Sequence, residues 1–176
     1  KSVNAFRDGI IFNMYNSMLN NRLDELTKSA DPPFLFVRSR KGSWIQSKQM
    51  YTLSAYVKTN GIPDGMEALL IETARIQKHG FTQTELDRQK TKYLRNLEKR
   101  YNEKDKTESE SYKWNYKNHY LKGDAIPSIE YTYETAQKLL PGITIDEVNQ
   151  MSTELISSKN RVISASSPEN DEVIIP

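Results

Sequence analysis

The chain has 176 residues, enough for one domain with a real core, and its 25 Lys and Arg nearly balance its 23 Asp and Glu. That balance leaves no global field to argue for nucleic acid, and the lack of cysteine excludes disulfides and thiolate metal sites. No run of ~18 apolar residues exists to cross a membrane as a helix.

Residues 3–27 carry apolar side chains at Val3, Phe6, Ile10, Met14 and Met18, with a second row at Ile11, Tyr15, Leu19, Leu23 and Leu26. Two rows at helical spacing predict an α-helix buried over a wide face. Asp31-Pro32-Pro33 stops it, because proline has no amide hydrogen and constrains the residue before it. The pattern then turns to β. Phe34-Leu35-Phe36-Val37 opens a strand, Gly42-Ser43 marks a bend or bulge, and residues 51–57 alternate as a second strand before an Asn60-Gly61 turn.

Pro63 suits a first helical turn, and Met66, Leu69, Leu70 and Ala74 form the apolar stripe of a helix ending at Gly80. Lys78 and His79 in its last turn complement the negative end of the helix dipole. Thr82-Gln83-Thr84-Glu85 is a capping box, opening a helix through Leu86, Tyr93, Leu94, Leu97 and Tyr101. Thr107-Glu108-Ser109-Glu110 can cap another through Tyr112, Tyr116 and Tyr120; the even spacing of those rings reads as a core or lobe-interface stripe. Ser128 caps a helix ending at Leu140-Pro141-Gly142, and Thr144-Ile145-Asp146-Glu147 is a second capping box. Residues 161–166 read as a closing strand, and the apolar tail at 172–176 ends in mid-pattern, as in a fragment. The expected fold is α+β, with helices layered on one side of an antiparallel sheet.

Chemistry-bearing patterns are sparse. His79 and His119 lie 40 residues apart, and neither sits in an H-x-x-E-H or H-E-x-x-H spacing that would grip a zinc ion beside a general-base Glu. They read as a helix terminator and a passenger on a tyrosine-rich helix. Glu67 and Glu72, and Glu130 with Glu134, read as solvated helix faces. The basic residues Lys90, Lys92, Arg95, Lys99, Arg100, Lys104 and Lys106 are interleaved with Glu98, Glu103, Asp105, Glu108 and Glu110. Alternating signs describe a salt-bridged solvent face in preference to a nucleic-acid surface.

Three segments carry a resemblance: Asn21-Arg22-Leu23-Asp24-Glu25-Leu26, Gly80-Phe81-Thr82-Gln83-Thr84-Glu85-Leu86-Asp87-Arg88, and Leu140-Pro141-Gly142-Ile143-Thr144-Ile145-Asp146-Glu147-Val148. Their order resembles a lobe of the zinc metallopeptidases of the pitrilysin and insulinase type, over nearly the whole chain. In that family two similar α+β lobes make each half, and the halves close around a peptide. The resemblance implies a lobe of the mitochondrial-processing-peptidase/pitrilysin-like metallohydrolase fold, with residues 1–176 as a single domain cut from a larger multi-lobe peptidase. The family often places an Arg after the R-L-x-E-L-like helix and a Tyr seven residues later, to hold the peptide and stabilise the oxyanion. Thr27 and Phe34 occupy those positions here; Thr carries no charge and Phe donates no hydrogen bond.

With no zinc motif in the sequence, the resemblance assigns the chain to the non-catalytic partner lobe of the zinc-carrying half. The lobe would shape the chamber wall and support the catalytic lobe, and would have no metal ligands of its own. The implied parent is a periplasmic or envelope-associated zinc peptidase. Its partners are the remaining lobes of the polypeptide and a peptide substrate, with no nucleic acid and no membrane span. The alternative is a catalytically inactive scaffold of the same fold.

Overall fold

The computed structural model describes residues 2–45, 48–106 and 109–168. The element order is α1 (Val3–Leu26), β1 (Phe36–Ile45), β2 (Lys48–Tyr56), α2 (Ile62–His79), α3 (Gln83–Asn102), α4 (Ser109–Lys122), α5 (Ile129–Leu139) and α6 (Ile145–Leu155). Single 3-10 turns at Lys104–Lys106 and Leu140–Gly142 follow α3 and α5. The fold is helix-rich α+β with a small antiparallel sheet of β1 and β2.

The chain divides into two compact units, one of residues 1–14 and 83–144, the other of residues 15–82 and 145 onward. In the first, the early turns of α1 bury Ile10, Ile11 and Met14, while α3, α5 and the turn after α5 bury Leu86, Leu97, Ala136, Leu140 and Ile143. Ser128 caps α5, its hydroxyl accepting the Tyr131 amide at 3.2 Å. Lys90 Nζ donates to the Ile143 carbonyl at 2.6 Å, and Arg7 Nη2 to the Gly142 carbonyl at 3.0 Å, so two cations satisfy carbonyls of one turn.

In the second unit the remaining turns of α1 bury Tyr15, Met18, Leu19 and Leu23, together with Phe34, Val37, Ile76, Phe81 and Val148. The two apolar rows of the sequence are therefore the buried face of α1 from Ile10 onward; Val3 is exposed. β1 and β2 pair from Phe36↔Tyr56 to Ile45↔Lys48, and the register shifts between Ser43 and Ile45, beside the expected bulge. Asn60 takes the left-handed conformation of the expected turn at φ 61°.

The unit is stitched by side-chain amides reading backbone. Asn20 Oδ1 accepts the Ser39 N–H at 2.7 Å and its Nδ2 donates to the Ser39 carbonyl at 3.1 Å. A single amide thus occupies both backbone groups of a β1 residue, as a neighbouring strand would. One turn earlier, Asn16 Oδ1 accepts from the hydroxyls of Ser39 at 2.9 Å and Tyr51 at 3.2 Å. Burial pushes the Tyr51 phenol up to about 12.

Two expectations are corrected. The buried face of α2 is Gly65, Leu69, Glu72, Thr73 and Ile76, while Leu70 and Ala74 are exposed. The helix is rotated from the face its hydropathy suggests, with Gly65 facing inward so close to residue 57 that a Cβ there would lie 2.5 Å from Val57 Cγ1. Residues 161–166 form no strand: the segment is irregular, with Val162 89% and Ile163 60% exposed. Strand-like composition becomes a strand only with a ladder partner, and among the described residues the sheet has two strands.

Candidate functional site

Two of the segments that carry the resemblance meet in the second unit at Arg22. Its Nη2 donates to the Gly80 carbonyl at 3.2 Å, and its guanidinium carbon lies 4.7 Å from the centroid of the Phe81 ring. Its Nη1 is 3.6 Å from Glu72 Oε1, whose other oxygen meets Arg75 Nη1 at 3.1 Å. A planar fork that donates, stacks and carries charge at once is chemistry that lysine does not supply.

Gly80 is at φ 68°, closing α2 with an N–H to the Ile76 carbonyl at 2.8 Å. A Cβ on it would lie 2.6 Å from Asn149 Nδ2. Asn149, on α6, accepts the Phe81 N–H at 2.7 Å and donates to the Phe81 carbonyl at 3.3 Å. Phe81 is buried and packs edge-on to Tyr15 at 5.7 Å. Arg22, the Gly80-Phe81 corner and Asn149 of α6 are thereby one locked junction.

Glu72 corrects the reading of a solvated carboxylate. It is 3% exposed, and its Oε1 has no hydrogen-bond partner, only the longer ion pair to Arg22. Removing one cation would leave this carboxylate with a single partner, and removing both would leave its charge out of water and unpaired. Sequence spacing offers Arg75, three residues on along α2, but not Arg22, which lies on a helix fifty residues away.

Beside the junction lies an open cleft of about 510 Å³, lined among others by Arg22, Arg75, Lys78, His79 and Thr82. Its chemistry is cationic hydrogen-bond donation, suited to carboxylates and to backbone carbonyls. Of the residues read by resemblance, Thr27 is half-buried and its hydroxyl donates to the Asp24 carbonyl at 2.7 Å. Phe34 is fully buried. His79 ends α2, and His119 Nδ1 lies 2.6 Å from the Asp124 carbonyl. Among the described residues no group of three or more His, Asp or Glu is arranged to hold a metal ion.

The basic run separates into different uses. Lys104 Nζ pairs with Glu130 Oε1 at 2.7 Å and sits 5.1 Å from the Tyr101 ring centroid, which stacks on Tyr133 at 5.4 Å. That hydrogen bond, with the Glu130 backbone amide and Ser128, holds the Glu130 carboxyl down to about 2. The tyrosines of α4 are exposed, Tyr116 by 62% and Tyr120 by 88%, which corrects the core half of the stripe reading.

No protein-family model matches the chain. It is 26% identical over 174 residues to "Zinc protease PQQL-like" of Arabidopsis thaliana, which covers 99% of this chain but 15% of that relative. Its fold matches the first half of the periplasmic protease PqqL from Escherichia coli with a TM-score of 0.81 and 21% identity, over 88% of this chain and 33% of that one. A "Predicted insulinase family protease from Yersinia pestis" matches with a TM-score of 0.73 and 14% identity, over 88% and 33%. The chain thus spans a small part of the proteins it resembles.

Proposed function

We propose, from the premise that this chain is of the pitrilysin/insulinase type by homology and by fold, that it is a non-catalytic lobe of a zinc-dependent peptidase. Zinc-bound water and the general-base Glu come from elsewhere in a longer polypeptide. This lobe forms part of the peptide-chamber wall and holds the catalytic lobe in place. Its partners are the remaining lobes and the peptide substrate, and the location is periplasmic or envelope-associated.

The observation that carries the reading is the extent of the likeness: 99% of the chain aligns with a zinc protease while spanning 15% of it. The junction supports it, because Arg22 is committed to Gly80, Phe81 and Glu72, a packing role suited to a lobe that must keep its shape. Thr27 and Phe34, at the positions where the family sets its Arg and Tyr, offer neither charge nor a hydrogen bond to a substrate from the side chain of Phe34.

Elemental analysis of the purified chain, with a quenched-peptide hydrolysis assay, tests the proposal. The expected result is no stoichiometric zinc and no turnover from the chain alone, and zinc-dependent hydrolysis from the longer polypeptide. One zinc per chain, or hydrolysis by the chain itself, overturns it. A longer polypeptide that neither holds zinc nor cleaves peptides makes the lobe part of an inactive scaffold.

A further inference from the structure

Helix α4 is an anomaly in the first unit. None of its described side chains is buried, yet Tyr112, Trp114, Tyr116, Tyr120 and Leu121 are 43–88% exposed. A helix of 14 residues is marginal in water by itself, and helices in proteins gain most of their stability from packing an apolar face. This one displays large apolar groups and packs none of them.

The arrangement of those groups narrows what covers them. Tyr112, Tyr116 and Tyr120 recur every four residues along one side, whereas Trp114 and Leu121, seven apart, lie together on the opposite side. A flat surface such as a bilayer interface covers one side of a helix and selects a single apolar face. Two opposed apolar sides fit a groove that closes on the helix from both flanks. Charge narrows it further. Helix α4 carries Lys113, Lys117 and Lys122 against a single acidic residue, Glu110 in its first turn, and Lys117 Nζ lies 4.7 Å over the Trp114 ring. The complementary wall is acidic.

We infer that α4 is a docking element that inserts into an acidic-walled groove on another lobe of the same longer polypeptide. The inference rests on the function proposed above, and on the small share of the related chains that this one spans. It deepens that reading by naming the surface through which the lobe is held. Tyr116 and Trp114 are the anchors, and the lysines set register at the rim.

Acrylamide quenching of Trp114 tests it, with Trp44 and every tryptophan of the longer polypeptide outside residues 1–176 replaced by Phe so that a single tryptophan reports. In the longer polypeptide, quenching should fall about fivefold relative to the isolated chain, as for a ring moved into a packed interface core. Tyr116→Ala with Lys122→Glu should restore quenching there, while leaving the circular dichroism and quenching of the isolated chain unchanged. Equal quenching in the two proteins overturns the inference. So does protection of the isolated chain that grows with its own concentration, which would make a second copy the occupant. Protection of the isolated chain by phosphatidylglycerol vesicles would assign the face to a membrane and overturn it equally. A protected Trp114 in a polypeptide without zinc-dependent hydrolysis leaves the docking intact and removes the peptidase reading; the reverse outcome removes the docking alone.

Discussion

Arg22→Met removes the group on which the junction converges while keeping most of the aliphatic volume. Arg22 donates a charged hydrogen bond to the Gly80 carbonyl, a class of bond that contributes about 1.5–3 kcal/mol. It stacks on Phe81 from a partly exposed position, where a cation–π contact contributes about 0.5–1 kcal/mol. It is also one of two cations facing a carboxylate that is 3% exposed. These terms overlap, and Arg75 stays in place, so the expected loss is about 3 kcal/mol rather than their full sum. Glu72→Gln keeps the shape and removes the buried charge, at a cost of about 1 kcal/mol from the pairing with Arg75 and Arg22. The double variant should then lose less than the two singles together, with a coupling of about 1–2 kcal/mol. Urea unfolding of the four proteins, followed by circular dichroism, measures this cycle at unchanged slope. A loss below about 1 kcal/mol for Arg22→Met, or strict additivity, would show that the motif arginine does not bind the junction together.

Three further outcomes are expected. Gly80→Ala should cost about 1–3 kcal/mol, because a backbone at φ 68° and ψ −171° is essentially reserved for glycine and Asn149 must also be displaced; a loss in urea below about 1 kcal/mol would refute the strained corner. Asn20→Leu leaves the Ser39 N–H and carbonyl without the amide that reads them, at about 2–4 kcal/mol for two buried groups, and light scattering should show edge-to-edge association; unchanged stability and monodispersity would refute the edge-plug role. Glu130 is held below its ordinary value by Lys104, so its contribution to stability is present above the unfolded carboxylate range and is lost as pH falls through about 2; a carboxyl carbon titration of Glu130 by NMR with a midpoint near 4.5 would refute the pairing.

Local signals proved reliable where the cause is local. The double row on α1, the Asn60 turn and the Ser128 cap are set by side chains within a turn or two of one another; the turn and the cap are present as read, and the row is buried from Ile10 to Leu23. The segments at Arg22 and Gly80 were legible as marks of a resemblance, but not as parts of one junction. Nothing in their spacing says that Arg22 reaches the Gly80 carbonyl or that Asn149 reads both backbone groups of Phe81. Asn16, Asn20 and Asn149 look like ordinary polar positions in the sequence, since the partner of each amide is far away in the chain and nothing local announces it.

The sequence by itself determined the helical order after two strands, the Asn60 turn, the Ser128 cap, and the absence of an H-x-x-E-H spacing, because periodicity, capping and ligand spacing act over a few residues. Tertiary structure decided what depends on which elements meet. It turned α2 so that Glu72 is buried between two arginines, and it left residues 161–166 without a ladder partner. It also brought Phe34 into the core and kept the tyrosines of α4 out of it. The physical reason is one: burial, long-range charge pairing and strand formation are properties of two surfaces in contact, and a sequence pattern describes only one of them.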